Sequence, residues 1–295
     1  MVILNEKEYA ENCLKTGELD KKPFKTLQIL AKYYYHHLGY RKKKIYGLLV
    51  EYLSKNYSKY NANITSWNNT IEKIANKAGK YPLYEISEIW ITKAELEVID
   101  NIDSKNDLKQ LAFTLLCLAK LENIKNPKNN GWVNYDSKEI FNMAHILISM
   151  RKQDEMLGDL GIFELIEFPK KNDNLSNRVT FVNDESEKVL SISDFRELGY
   201  EYLKYKGENL IRCHECGILI KNNKTRTKKY CNVCSGYVPI GTKTITCVDC
   251  GEEFEITSSS RRIRCELCHD LERRRINREN QKKYKEKLKN NTSSF

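Results

Sequence analysis

Apolar positions recur at helical spacing through the first part of the chain. Phe24, Leu27, Leu30, Tyr34 and Leu38 form one stripe, with Pro23 placed for a first helical turn and Gly39 for a stop. Ile45, Leu48, Leu49, Tyr52 and Leu53 form a second stripe, and Trp67, Ile71, Ile74 and Ala75 a third. Residues 76–82, with Gly79 and Pro82, read as a loop. Thr92 and Glu95 have the spacing of a capping box ahead of Leu96 and Ile99. Residues 1–103 are therefore expected to form a small helical domain.

A longer pattern follows. Leu108, Leu111, Ala112, Leu115, Leu116 and Ala119 predict an amphipathic helix, with Ser104 as its cap. Residues 127–131 read as a loop, and a short helix is expected after Asp136. Ser149 is placed to cap another, with Gln153 four residues on and Gly161 at its end. Residues 162–168 and 178–182 are strand-like, joined by the polar turn 169–177. Three helices followed by a β-hairpin resemble a winged-helix domain, covering about residues 104–184 of a domain bounded at 104–192. That resemblance implies that the third helix, Met150 to Leu160, would enter a DNA groove and present Arg151, Lys152 and Gln153. Asp154, Glu155 and Asp159 share that helix, and residues 101–200 hold 13 basic and 16 acidic residues, a poor complement to phosphate. Packing or protein contact is the favoured use of this domain. Ser193 is placed to cap a connecting helix through Tyr205, within residues 193–209.

The sharpest chemistry lies beyond residue 210. Eight of the ten cysteines fall into four Cys-x-x-Cys pairs: Cys213/Cys216, Cys231/Cys234, Cys247/Cys250 and Cys265/Cys268. Each half has 14 residues between its pairs, and the halves are offset by 34 residues throughout, an internal duplication in form. Two residues between cysteines let a tight knuckle aim both thiolates at one tetrahedral ion. Gly217 and Gly251 follow the second ligand in each half and allow a positive φ there. Two structural Zn²⁺ ions, each held by four thiolates, are the expected cofactors; iron–sulfur is the rival. No ligand position is then open for a catalytic water. His214 and His269 lie beside complete ligand sets and are read as non-ligands, while Cys13 and Cys117 stand alone.

These segments resemble tandem zinc ribbons: one over residues 210–238, and a second ribbon or treble-clef finger over 239–270, because a helix is expected to start at its last cysteine pair. The fold class is thus mainly α with small β: a helical N-terminal domain, a winged-helix-like middle, two tandem four-cysteine zinc ribbons and a basic helical tail over 271–295.

Charge adds a second theme. The 295 residues carry 50 Lys and Arg against 40 Asp and Glu, a net charge of +10, unevenly spread. Residues 21–60 have ten basic residues and one acidic, and residues 271–295 have nine and three. Such blocks are footprints for a polyanion. The candidate nucleic-acid contacts are Lys228 and Lys229 in the first ribbon and Arg261, Arg262 and Arg264 in the second. The tail adds Arg273, Arg274, Arg275, Arg278, Lys282 and Lys283. No apolar run approaches the roughly 18 residues of a membrane span, and the N-terminus has no secretory pattern, so a cytoplasmic protein without a membrane partner is expected. In that compartment clustered cysteines point to metal rather than disulfides.

The Lys/Asn/Ile-rich vocabulary of residues 125–130, the segment Asn130-Gly131-Trp132-Val133-Asn134, and the string from Asp194 to Tyr200 leading into Cys213-His214-Glu215-Cys216-Gly217 are similar to proteins of phages and mobile elements of low-GC Gram-positive bacteria. No catalytic motif is present: no phosphate-cradling Gly-rich loop, Gly-x-Ser-x-Gly or His-Glu-x-x-His. The expected function is a zinc-containing nucleic-acid-binding protein, a regulator or a replication or transcription accessory, and not an enzyme. The alternative is a module that binds a host or phage protein complex, with the zinc sites purely structural.

Overall fold

The computed structural model describes all residues except 1, 21–22, 58–59, 61–63, 170–175, 223–227, 237–240, 259, 277 and 280–295. The chain divides into two compact units, Met1–Lys229 and Tyr230–Phe295.

The three N-terminal stripes form helices α2 (Pro23–His36), α3 (Lys42–Asn56) and α4 (Ile64–Lys77), preceded by α1 (Glu6–Thr16). Leu27, Leu30, Ile45, Leu49, Leu53 and Ile71 are fully excluded from solvent and make the centre of this core. Phe24 and Leu38, expected on the buried stripe of α2, are instead 46% and 40% exposed. Helix α1 had no visible stripe because it buries only Ala10 and Cys13. Its ends are set locally: the Asn5 side chain accepts from the Glu8 N–H, and Gly17 turns left-handed at φ 76°.

A second core follows, built from β1 (Ile89–Thr92), α5 (Lys93–Asp100), α6 (Asn106–Lys125), β2 (Trp132–Val133), α7 (Ser137–Met143), α8 (Met150–Ile162), β3 (Ile166–Glu167), β4 (Asn177–Val179), β5 (Lys188–Ile192) and α9 (Leu198–Tyr205). The capping box forms: the Thr92 hydroxyl accepts from the Glu95 N–H, and the Glu95 carboxylate accepts from the Thr92 N–H at 2.8 Å. Ile89, Ile91, Leu96 and Ile99 pack with α6 rather than with α2 to α4. Strand β1 pairs antiparallel with β5, Ile89 opposite Ile192, and β2, β4 and β3 form a three-stranded sheet in that order.

Helix α6 corrects the amphipathic reading. Every residue from Gln110 to Leu121 is buried, and the polar ones are paired. Gln110 Nε2 donates to the Ala144 carbonyl at 3.2 Å, Thr114 Oγ1 donates back to the Gln110 carbonyl, and Lys120 Nζ reaches Glu95 and Asp184. The helix begins after Lys105, and Ser104 lies outside it.

Other caps also differ. Asp136 caps α7 as expected, through the Lys138 N–H. The Ser149 hydroxyl makes no cap bond, and α8 runs through Gly161 to Ile162; Glu164, at φ 57°, takes the left-handed conformation instead. Gly161 serves packing: a Cβ there would lie 2.8 Å from the Phe168 ring. Residues 188–192 form a strand, so Ser193 caps nothing and α9 starts at Leu198. Gly199 on α9 meets the end of α7 so closely that a Cβ would stand 1.9 Å from the Ala144 carbonyl oxygen. Gly199→Ala is therefore expected to lower stability by about 1–3 kcal/mol, read from the urea midpoint, although alanine is the better helix former.

The first cysteine hairpin, β6 (Leu210–Arg212) and β7 (Leu219–Lys221), packs Leu210 and Leu219 into this core. The second unit contains the hairpin of β8 (Thr242–Thr246) and β9 (Glu253–Thr257) and helical residues 266–276, denoted α10. Among the described residues no helix is long and apolar enough to cross a membrane.

Candidate metal centres

The first Cys-x-x-Cys knuckle of each half sits where a hairpin bends. Gly217 and Gly251 are left-handed, at φ 72° and 75°, and their N–H groups donate to the carbonyls of Cys213 and Cys247. The duplication extends into the backbone. Cys213 N–H donates to the Ile218 carbonyl as Cys247 N–H does to that of Glu252, and His214 N–H donates to Lys229 as Val248 N–H does to Ile263. Strand register obeys the same 34-residue offset: Arg212 faces Leu219 and Ile211 faces Ile220, as Thr246 faces Glu253 and Ile245 faces Phe254.

The four sulfurs of Cys213, Cys216, Cys231 and Cys234 lie within 4.8 Å of one another, and so do those of Cys247, Cys250, Cys265 and Cys268. No two of these cysteines are disulfide-bonded. In the second set Cys250 Sγ is 3.7 Å from Cys265 Sγ. A tetrahedral ion with sulfur at about 2.3 Å separates its ligands by about 3.8 Å, so the spacing suits one. The two four-cysteine clusters fit tandem zinc ribbons. His214 and His269 belong to neither set.

The halves differ at their second pair. Cys231 and Cys234 lie in turns, with the Cys234 N–H donating to Cys231 Sγ at 3.4 Å. Cys265 and Cys268 instead open α10, where His269 N–H returns to the Cys265 carbonyl at 2.9 Å. The free N–H groups of that first turn favour thiolate. Burial raises the Cys247 pKa, but backbone N–H donation from Cys265, Cys250 and Asp249 outweighs it and brings the thiol down to about 6. Cys268 is pushed far up by hydrogen bonding to Cys265 and by burial. A divalent ion bound here would displace the thiol protons and ionise the set.

An unanticipated group supports the first knuckle. Arg196 Nη2 donates to the Cys216 carbonyl at 2.7 Å and is held by the Asp194 carboxylate, also at 2.7 Å. Burial opposes the Asp194 charge, but hydrogen bonds from Arg196 dominate and lower its pKa. Asp-x-Arg in residues 194–196 is the sequence signal for this clamp. Arg212 adds a bond to the Gly217 carbonyl and an ion pair with Glu201 at 2.7 Å.

The proposed nucleic-acid contacts separate into two groups. Arg264 pairs with Asp249 at 2.7 Å, Arg273 with Asp270, and Arg275 with both Glu272 and Glu279. Arg262 donates to the Arg264 carbonyl and lies over the Phe254 ring. Lys228, Lys229, Arg261, Arg274 and Arg278 are exposed and have no carboxylate within ion-pair distance among the described residues. Lys282 and Lys283 lie outside the described residues.

No protein-family model, curated protein or solved structure matches the chain.

Proposed function

We propose that this chain is a zinc-stabilised nucleic-acid-binding protein, acting as a regulator or accessory of replication or transcription in a phage or mobile element. The carrying observation is the placement of uncompensated cations on the cysteine modules. Lys228 and Lys229 precede Cys231, Arg261 precedes Cys265, and Arg274 and Arg278 follow Cys268. Zinc suits the metal, because two all-thiolate tetrahedral sets built on hairpins are its usual structural environment. The ions hold the modules in shape and take no part in bond making. The order α6–β2–α7–α8–β3–β4 supports a winged-helix reading of the middle. On α8, however, Arg151 is engaged by Glu155 at 3.0 Å and Gln153 by the Ile148 carbonyl. That favours contact through the cysteine modules over groove reading by α8.

Five phosphate contacts predict that log K for random duplex DNA falls with log salt at a slope of about −4.5. Replacing Arg261 and Arg274 with Glu should reduce that slope by about two and leave the far-UV spectrum unchanged. A salt-independent affinity, or equal binding by the variant, refutes the reading.

A second reading rests on apolar exposure. Val233, Val248 and Leu267 are 89%, 60% and 69% exposed, and such side chains on a zinc module suit a protein partner. Recovery of one stoichiometric protein after nuclease treatment would favour it.

A further inference from the structure

A cleft of about 910 Å³ opens among α2, α4 and the end of α6, far in sequence from the paired cysteines. One wall is the face of α2 that carries Phe24, Gln28 and Lys32, spaced one helical turn apart. The opposite wall is the face of α4 that carries Thr70, Lys73 and Lys77. Tyr81, Tyr84 and Lys125 complete it.

The charges here are unequal in what they are already doing. Glu6 accepts from Lys32 at 2.6 Å and from the Tyr84 N–H at 3.0 Å. Glu122 accepts from Lys125 at 2.9 Å and from the Tyr135 hydroxyl at 2.7 Å. Both acids of the cleft are thus satisfied. Lys73 and Lys77 are exposed, stand one turn apart, and have no ion-pair partner among the described residues. Like charges at this spacing repel one another along a helix, and an anion between them would relieve that repulsion.

Of the aromatic groups, Tyr84 is engaged by Lys32 at 5.2 Å from its ring centre and Tyr81 by Lys80 at 5.3 Å, while Phe24 carries no such contact among the described residues. Phe24 is 46% exposed and Tyr81 54%, so each turns a large face to solvent at the cleft. A volume of 910 Å³ lies within the range of small-molecule sites. Flat apolar faces beside a paired cation suit a planar ring joined to phosphate. An acidic peptide would use the lysines but leave the rings idle.

We propose that this cleft binds a nucleotide, with its phosphate between Lys73 and Lys77 and its base against Phe24 or Tyr81. The ligand's source is either a free nucleotide or an unpaired nucleotide of a strand. This site is independent of the cysteine modules and of the function proposed for them.

The test is calorimetric titration of the zinc-loaded full chain with AMP, ATP, inorganic phosphate and a short oligothymidylate. Lys73→Glu/Lys77→Glu, Phe24→Ala and Tyr81→Ala serve as variants, their folding checked by thermal melts. Nucleotide binding is expected to weaken by about tenfold or more in the charge-reversed variant, the loss of one charge-assisted hydrogen bond. Phe24→Ala or Tyr81→Ala should weaken AMP but not inorganic phosphate. The Arg261→Glu/Arg274→Glu protein should bind AMP normally, which separates this site from the duplex-binding surface. Oligothymidylate that binds more tightly than AMP and is lost in the charge-reversed variant assigns the strand as the source; ATP that binds more tightly than oligothymidylate assigns the free nucleotide. No AMP or ATP binding at millimolar concentration, or unchanged binding in the charge-reversed variant, overturns the proposal.

Discussion

Stripping the metal with a strong chelator is expected to unfold the second cysteine module and leave the helical cores of the first unit intact. The reason lies in what that module buries. Its buried core cluster among the described residues is Cys247, Cys265 and Cys268, with Phe254 packed against them. The sulfurs are themselves the core, and once the ion is gone the cluster is a set of thiols that cannot ionise together. The β8–β9 ladder is too short to hold alone. A structural zinc ion contributes about 10–16 kcal/mol of local folding energy, more than any packing term available there. Amide exchange should show protection lost over residues 242–257 while α2, α3 and α6 stay protected. Cys265→Ser should behave like chelation at this module. Protection that persists in chelator would remove the metal assignment.

The second large effect is expected inside the middle core. Lys120 has 5% of its side chain exposed and Glu95 none. The Glu95 carboxylate accepts from Lys120 at 2.7 Å and from the Thr92 and Asn183 N–H groups, both at 2.8 Å. One carboxylate thereby joins α6, the capping box of α5 and the chain entering β5. Lys120→Met leaves that carboxylate without a cation in a site closed to water. Breaking one side of a buried pair costs about 3–5 kcal/mol. The double variant Lys120→Met/Glu95→Gln should recover part of the loss, since it removes the stranded charge. Urea unfolding of both variants and the parent measures this; a Lys120→Met midpoint equal to the parent's would show that the pair holds nothing.

The legible and hidden parts of this chain have separate physical causes. Ligand spacing is dictated by how far a knuckle can reach, so four pairs and a fixed offset identify both sulfur clusters without any knowledge of packing. Local caps are nearly as readable: Thr92 with Glu95, and Asp136, depend on residues two or three positions away. Pairing at a distance is not. Ile89 meets Ile192 across about a hundred residues, and nothing in either short strand names the other. Helix α6 misled for a related reason. Its Gln110, Thr114 and Lys120 mimic a wet face, but their partners come from Ala144, Gln110 itself, Glu95 and Asp184. Charge counts fail in the same way. Arg264 and Arg275 add to the basic total, yet nearby acids already hold them, so the usable positive surface is smaller than the sum suggests.

The common register of the two hairpins makes the cysteine segment divisible. Joining Arg212 directly to Cys247 removes 34 residues and puts Arg212 in the place of Thr246, its counterpart in the ladder. The shortened chain keeps one full set of thiols, the left-handed knuckle glycine Gly251 and α10. It would bind one equivalent of metal in place of two, so the contribution of a single finger can be weighed by subtraction.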